Sequence, residues 1–357
     1  MHLLNPFTIN IDPMNRLLLV NFEKDPDTLY LGFEPQVFDD TVGGKGHLVI
    51  GWRLDGRVDV YHEPGLKPQP GKFDIAGKGV ANMIERQMPH TLFEISEGGV
   101  NVHYEFSDSN ERTVIIRIIE KNPRKRKPFG LLAPMGSAAQ NPSALPLVLL
   151  YDFYFVRKKH TEIEISIQGR KHKVDQLPLP MDWTKMLFTR YSPKPLIATL
   201  NPAFNGELPL IAVEPENRQI KSEEQNISLE WKDGSPSIGS ITRNNHICAV
   251  QLSFKKPFPD IRSLAENTIH AGKFEITAHS STGKITGQYT VENKESVVTI
   301  AMIPSGGWKP RPTKLSLRFL YTVAGIFKKW PTTYEWTATI SKRDKEPWQM
   351  ESGWKRI

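Results

Sequence analysis

Asp152 is the carboxylate with the most unusual surroundings in this sequence. It interrupts the apolar run LPLVLLYDFYFV, and its own strand face would carry Val148, Leu150, Tyr154 and Val156. A carboxylate with apolar neighbours on both faces is hard to ionise, so it can serve as a proton donor. The alternative is a structural role, in which it accepts hydrogen bonds from Tyr, Arg or backbone amides, the commoner outcome for a buried polar group. The first hypothesis makes Asp152 the catalytic acid and Tyr154 the group that orients it or a ligand.

A second set of polar and aromatic side chains falls in the predicted hairpin 46–62. In-register pairing of its two strands would bring Trp52, Arg53, Asp59 and Tyr61 close together. We predict that Trp52, Asp59 and Tyr61 contact a ligand, with the indole of Trp52 as an aromatic wall against developing positive charge.

Two further candidates for ligand binding are His103 and Trp308. His103 shares a strand face with Asn101 and Glu105. It contacts a ligand if that face lines a barrel interior, and it is ordinary strand surface if the face meets water. Trp308 follows two glycines and either stacks on a ligand or covers the end of a barrel.

The segment from Lys121 to His160 has an unusual charge pattern. It opens with the basic run KNPRKRK, and residues 128–151 contain no charged side chain. Such a segment can dock on an anionic membrane, form a lid over a lipophilic cavity, or be a long connection packed across a sheet with its basic run in solvent. The first alternative predicts these docking residues: Arg124, Lys125, Arg126, Lys127, Phe129, Leu131 and Leu132.

Alternating apolar and polar residues dominate the chain and predict the elements that carry these side chains. Every second residue is apolar from Val100 to Phe106 and from Val114 to Ile118, which indicates strands with one buried face. Residues 314–323 are also predicted as a strand, whereas residues 79–86 and 261–266 are predicted as short helices. The fold class is therefore all-β, with two consecutive antiparallel β domains (lipocalin-like barrels, or a barrel plus a sandwich).

The domain boundaries follow from composition. Residues 201–225 are rich in Pro, Asn and Glu and lack periodicity, which is typical of a linker. We therefore predict an N-terminal domain at 1–205, with an uncharged Pro/Gly-rich loop at 128–146, and a C-terminal domain at 226–341. Residues 342–357 are predicted as a C-terminal tail.

Composition narrows the classes of function. The formal net charge is +7, and the single cysteine excludes an intramolecular disulfide framework. The N-terminus lacks a secretory signal and the chain lacks a long apolar stretch, so we expect a cytoplasmic location, peripheral to a membrane if the basic segment docks. No phosphate-binding loop, nucleic-acid motif or metal-ligand spacing occurs in the sequence. We expect no cofactor, no metal site and no nucleic-acid partner.

The layout of two antiparallel β domains, with the patterned runs GHLVIGWRLDGRVDVYHEP and VLLYDFYFV, resembles a known family. These are the two-domain lipocalin-like proteins related to carotenoid 1,2-hydratase (hydroxyneurosporene synthase-like). The resemblance implies an apolar pocket for an isoprenoid, polyene or polyketide-like molecule, and acid-initiated hydration or cyclisation without a cofactor. It carries over no catalytic residue by motif.

Two other functions stay open from the sequence. A non-catalytic lipid carrier would use the same cavity and would dock on anionic membranes through the basic segment. A carbohydrate-binding or structural β-sandwich would instead present aromatic side chains on an exposed face or groove, the candidates being Trp231, Trp308, Trp330 and Trp336.

Overall fold

The computed structural model describes residues 1–12, 14–40, 43–73, 78–125, 127–133, 144–178, 180–181, 183–222, 224–244, 249–312, 314–323, 329–341 and 347–357. The side chains of residues 12, 14, 40, 72, 131–133, 146 and 151 are also outside this description. Two residues discussed from the sequence, Arg126 and the single cysteine Cys248, lie outside the described residues.

The described residues form strands β1 to β27 and one α-helix, α1 (Leu315–Val323). The strands are β1 (His2–Leu4), β2 (Ile9–Asp12), β3 (Met14–Asn21), β4 (Tyr30–Asp40), β5 (Gly44–Arg53), β6 (Val58–His62), β7 (Val80–Glu85), β8 (His90–Ser96), β9 (Gly99–Ser107), β10 (Thr113–Glu120), β11 (Phe129–Ala133), β12 (Leu145–Arg157), β13 (Thr161–Ile167), β14 (Arg170–Lys171), β15 (Met186–Ser192), β16 (Leu196–Leu200), β17 (Phe204–Glu207), β18 (Leu210–Ala212), β19 (Gln219–Ser222), β20 (Gln225–Lys232), β21 (Ser235–Asn244), β22 (Ala249–Phe258), β23 (Thr268–Thr277), β24 (Lys284–Lys294), β25 (Val297–Lys309), β26 (Tyr334–Ser341) and β27 (Gln349–Arg356). The predicted all-β class is confirmed.

Three larger sheets hold most of these strands. Sheet 1 has the order β2-β16-β12-β15-β3-β4-β5-β6-β7, with β11 paired to β12. Sheet 2 has the order β14-β13-β10-β9-β8, and sheet 3 the order β17-β27-β26-β25-β24-β23-β22-β21-β20-β19. Each order has two end strands, so among the described residues no sheet closes into a barrel.

Sheets 1 and 2 pack face to face in the N-terminal half. The alternating residues Val114, Ile116 and Ile118 of β10 are fully buried against side chains of sheet 1, as their period predicts. The rings of Tyr61 and Phe106 join the two sheets with centroids 4.8 Å apart. One face of sheet 1 is thus its inner face, and the other is called the outer face below.

A crossover covers part of the outer face of sheet 1. β6 and β7 pair in parallel, so the chain must return across the sheet between them. Leu66 and Phe73 of this crossover are buried against Leu48, Ile50 and Val60 on the outer face. Residues 79–86, predicted as a helix, instead supply strand β7, because its apolar side chains complete this small core.

Sheet 3 buries the N-terminal segment of the chain on its apolar face. Phe7 contacts Phe254, Phe258 and Trp336, with ring centroids 5.2, 4.7 and 5.7 Å away. The backbone amide of Ile9 donates to the side-chain oxygen of Gln225 at 2.9 Å. The two halves of the chain therefore share one large apolar core.

Two of the predicted boundaries need correction. The interval 201–225 is not a plain linker, because it contains the short strands β17, β18 and β19. Within the predicted tail, Gln349–Arg356 form strand β27, which pairs with β26 and β17, and Trp354 is buried at 3% exposure. The two buried side chains of β27, Met350 and Trp354, lie on the same face of the strand.

The segment 314–323 is helical and not extended. Its apolar residues recur every second position, but they also recur every fourth, which suits a helix. Leu317 and Tyr321 lie on the buried side of α1, where Tyr321 donates a hydrogen bond to the carbonyl of Gly130 at 2.9 Å.

Candidate functional site

Glu34 is a carboxylate buried on the outer face of sheet 1. Phe33 points into the core between sheets 1 and 2, so the alternation of β4 turns Glu34 and Gln36 to the opposite face. Glu34 is 4% exposed and Gln36 is fully buried. Ile50 pairs with Glu34 on the neighbouring strand β5, so the carboxylate lies beside apolar side chains.

Two hydrogen bonds hold the Glu34 carboxylate in place. The amide nitrogen of Gln36 donates to Oε1 at 2.7 Å, and the indole nitrogen of Trp52 donates to Oε2 at 3.2 Å. Burial raises the pKa of Glu34 to about 7, although both hydrogen bonds and the positive charge of Arg190 act in the opposite direction. Glu34 is therefore about half protonated at neutral pH.

Arg190 supplies a cation beside this acid. Its guanidinium lies over the ring of Phe188 at 4.5 Å and donates to the side-chain oxygen of Asn21 at 2.9 Å. Burial lowers the pKa of Arg190 to about 10, and the Glu34 carboxylate acts against this decrease. Arg190 remains charged at neutral pH and is placed to stabilise Glu34 once that group has lost its proton.

Gln36 brings an unused acceptor to the same place. Its side-chain oxygen is buried and has no hydrogen-bond partner in the part of the chain that the structure describes. A buried acceptor of this kind is uncommon in folded proteins, and a ligand hydroxyl or a water molecule would satisfy it. Trp52, Phe188 and Arg190 are partly exposed, so the site opens to solvent on their side. We call Glu34, Gln36, Trp52, Phe188 and Arg190 the Glu34 site.

The predicted proton donor Asp152 lies elsewhere. It is partly exposed and lies where the pairing of β12 with β11 shifts register. The prediction that Asp152 is buried, on which its role as a proton donor depended, is therefore wrong. Tyr154 stacks on Tyr191, with ring centroids 5.3 Å apart.

Asp59 and Tyr61 belong to a closed network on the inner face of sheet 1. Asp59 accepts hydrogen bonds from Tyr30 at 2.8 Å, Tyr61 at 3.3 Å, Arg53 at 3.2 Å and Asn82 at 2.8 Å. The predicted proximity of Arg53, Asp59 and Tyr61 is confirmed. Because the Asp59 carboxylate is fully buried and satisfied, these groups stabilise the fold and are not accessible to a ligand.

Trp52 does not join that network, contrary to the prediction. It pairs with Val58, whereas Asp59 pairs with Gly51, so Trp52 and Asp59 point to opposite faces of the hairpin. Trp52 instead donates a hydrogen bond to Glu34, and its predicted contact with a ligand stays a prediction.

His103 and Trp308 do not belong to the Glu34 site. His103 lies on the outer side of sheet 2, stacked on His90 at 4.7 Å and paired with Arg117. Partial burial, with His90 and Arg117 nearby, lowers the pKa of His103. Trp308 is 5% exposed and donates to the carbonyl of Thr282 at 2.7 Å, so it packs in the core instead of stacking on a ligand.

The predicted membrane-docking residues divide into two groups. Phe129 is 3% exposed and lies beneath the ammonium group of Lys314 at 3.9 Å, so its predicted insertion into a membrane is wrong. Leu131 and Leu132 belong to β11, and their side chains lie outside the description. The exposed basic residues are Arg124, Lys125 and Lys127, with Lys125 paired to Glu97 at 3.0 Å.

The aromatic candidates for carbohydrate binding are mostly buried. Trp308, Trp330 and Trp336 have exposures of 5, 5 and 0%, and Trp231 is partly buried with its indole nitrogen bonded to the carbonyl of Asn217 at 2.7 Å. These tryptophans do not form the exposed aromatic face which that alternative requires.

An apolar depression lies between β12 of sheet 1 and strands β22 to β24 of sheet 3. It is lined by Leu147, Leu149, Val250, Ile276 and Ile285 among others, and its cavity volume is about 10 Å³, room for about one water molecule. Pockets for drug-sized ligands usually measure about 300–1,000 Å³. This depression is too small to hold an isoprenoid or a polyene as the structure stands.

Comparison of the chain with protein-family models, curated proteins and solved structures finds no match. The resemblance to proteins related to carotenoid 1,2-hydratase stays a prediction. Among the described residues no helix is long and apolar enough to cross a membrane. No cluster of three His, Cys, Asp or Glu side chains suited to a metal ion occurs in that part of the chain.

The sequence patterns did not predict the roles of Glu34, Gln36 and Arg190. A usable signal was present, because the strands beside β4 are apolar at nearly every position in RLLLV and HLVIG. Strands that are apolar on both faces indicate a sheet covered on both sides. A carboxylate in the strand between them must then be buried.

Proposed function

We propose that the protein binds a lipophilic small molecule at the Glu34 site and that Glu34 donates a proton to it. The reaction class is cofactor-free, acid-initiated addition to an alkene, either hydration or cyclisation. One observation carries the proposal: a buried carboxyl group whose pKa is about 7, hydrogen-bonded to a partly exposed indole. A general acid works best when its pKa is close to the ambient pH.

The proposed step balances within the site. The O–H bond of Glu34 breaks while the π electrons of the alkene form a C–H bond, which leaves a carbocation and a carboxylate. In hydration a water oxygen bonds to the cation, and its proton returns to Glu34. In cyclisation a second alkene supplies the electron pair instead, and loss of a proton to Glu34 ends the reaction.

Each neighbour of Glu34 has a role in this step. The indole of Trp52 is held within hydrogen-bond distance of the acid, where its ring stabilises developing positive charge. Arg190 stabilises the carboxylate that forms. The unpaired oxygen of Gln36 accepts a hydrogen bond from the attacking water or from a ligand hydroxyl.

The test has a binding part and a chemical part. Native mass spectrometry of the purified protein, followed by denaturing extraction, identifies any apolar compound that co-purifies. Isoprenoids and polyenes are then incubated with the protein in D2O, and deuterium bound to carbon is measured. Glu34→Gln is compared with Glu94→Gln, which changes an exposed carboxylate on β8.

We expect deuterium incorporation with the native protein and with Glu94→Gln, but not with Glu34→Gln, which should still bind the compound. Incorporation by Glu34→Gln at the native rate would refute the acid role. If no apolar compound co-purifies and none of the panel changes the fluorescence contributed by Trp52, measured against Trp52→Phe, the binding role is refuted as well.

A further inference from the structure

Helix α1 carries apolar side chains on its solvent side as well as on its buried side. Leu315, Phe319 and Val323 are 83, 55 and 63% exposed. Their spacing of four residues aligns them in one stripe along the helix. Leu317 and Tyr321 point to the opposite side, into the core. The exposed stripe is therefore separate from the buried face of α1 that packs against the core.

The sequence on both sides of this stripe is basic and contains no acidic residue. Residues 297–334, which include α1, contain six Lys and Arg and no Asp or Glu. Within this segment Lys309, Arg311, Arg318 and Lys329 are exposed. Arg318 lies on α1 itself, one position before Phe319.

A second acid-free segment joins the first in space. Residues 121–151 contain five Lys and Arg and no Asp or Glu. The ammonium group of Lys314 donates to the carbonyl of Lys127 at 2.9 Å, and Tyr321 donates to the carbonyl of Gly130 at 2.9 Å. The exposed basic residues Arg124 and Lys127 thus belong to the same region of the surface as α1.

The charge of the whole chain is concentrated in these two segments. Together they carry +11, while the chain as a whole carries +7, so all the other residues together carry −4. A protein with a diffuse surplus of positive charge would not show this division. A partner with a negative surface would therefore be attracted to these two segments more than to the remainder of the chain.

We propose that the stripe of α1 (Leu315, Phe319 and Val323) and its flanking cations dock on an anionic lipid bilayer. The apolar side chains enter the boundary between headgroups and acyl chains, and the cations contact the headgroups. A nucleic acid would neutralise the cations but would offer the stripe no apolar phase. An acidic protein would need a matching apolar groove, whereas an anionic bilayer presents both features over any area. This surface replaces the buried Phe129 as the inserting element, and it does not depend on the Glu34 site.

The experiment is co-sedimentation of the full chain with vesicles of phosphatidylcholine alone and with vesicles that also contain phosphatidylserine. Phe319→Gln is compared with Ile269→Gln, since Ile269 is 70% exposed on β23, outside both acid-free segments. Arg318→Glu is compared with Lys273→Glu, another exposed cation on β23. Thermal unfolding of each variant checks that the fold is unchanged.

We expect binding to phosphatidylserine vesicles that decreases at high salt. Phe319→Gln should weaken it about tenfold through lost apolar burial. Arg318→Glu changes two unit charges at about fivefold each and should weaken it about 25-fold. Both control variants should bind as the native protein does.

Equal binding to neutral and anionic vesicles, or no binding at low salt, would overturn the proposal. Native-like binding by Phe319→Gln would also overturn it. A concentration-dependent dimer that Phe319→Gln dissociates, seen by sedimentation velocity without lipid, would assign the stripe to a second copy of the chain instead.

Discussion

Glu34→Gln is expected to stabilise the protein at alkaline pH and to destabilise it by about 1 kcal/mol at acidic pH. The pKa of an unfolded glutamate is 4.5, and burial raises that of Glu34 to about 7 in the folded protein. Between these values the folded state keeps a proton that the unfolded state has released. The free energy of unfolding of the native protein therefore falls as the pH rises through this interval, and the decrease is complete above about pH 7.

The size of this effect follows from the same two values. Each pH unit between them corresponds to about 1.4 kcal/mol, so the charged form of Glu34 costs the folded state about 3 kcal/mol. Glu34 is 4% exposed, so solvent screens this cost little. Glutamine resembles the protonated acid, but its NH2 group cannot accept the hydrogen bond of Trp52, which subtracts about 1 kcal/mol at every pH. The net gain at about pH 8 is then about 2 kcal/mol.

The assay is urea denaturation of both proteins at a series of pH values, with the difference in free energy of unfolding plotted against pH. The difference is needed because other groups titrate in the same interval. Burial lowers the pKa of His47, His103 and His270, so their contribution to stability rises with pH around 6.5. This contribution is common to both proteins and cancels. A difference that stays constant between about pH 4.5 and about pH 7 would show that Glu34 is ionised throughout, and would refute the reasoning.

Four further substitutions test the packing of the fold. Arg157→Met should lower the free energy of unfolding by about 3–5 kcal/mol, because it leaves the buried carboxylate of Glu120, now bonded at 2.7 Å, without its cation. Adding Glu120→Gln should recover most of this loss, and urea denaturation measures both. Gly51→Ala should cost about 1–3 kcal/mol, since a Cβ atom there would lie 2.7 Å from the ring of Tyr30; an unchanged Tm would contradict this. Phe7→Ala should cost about 3–5 kcal/mol, and a loss below about 1 kcal/mol in denaturation would contradict the burial of the N-terminal segment on sheet 3.

The strands were predictable wherever apolar and polar residues alternate along the sequence. Val114, Ile116 and Ile118 are apolar at a period of two and are buried on one face of β10. The same rule failed for α1, because apolar residues at every second position also fall at every fourth position, which is the spacing of one helix face. Leu317 and Tyr321 satisfy both periods, so alternation alone did not distinguish a strand from a helix there.

The candidate site was predictable in part. Trp52 was predicted as a ligand contact, but its separation from Asp59 depends on a three-residue loop at 54–56, because a two-residue turn at 55–56 would pair Trp52 with Asp59. Arg190 was not predictable, because it approaches Glu34 only after β15 pairs with β3. That pairing joins residues about 170 positions apart, and no local pattern specifies it.

Proximity in the sequence was the wrong criterion for the docking surface. Phe129 follows the basic run directly, yet the fold covers its ring with Lys314 and exposes Phe319 instead, about 190 residues further along the chain. The proposed docking surface is formed by α1 with the basic run, whereas the Glu34 site is formed by β4, β5 and β15 on the outer face of sheet 1. Because different elements form the two sites, a substitution in one site should not affect the function proposed for the other. Arg318→Glu should leave deuterium incorporation unchanged, and Glu34→Gln should leave vesicle binding unchanged. If either substitution removed both activities, it would act on the stability of the fold and not on the function assigned to it.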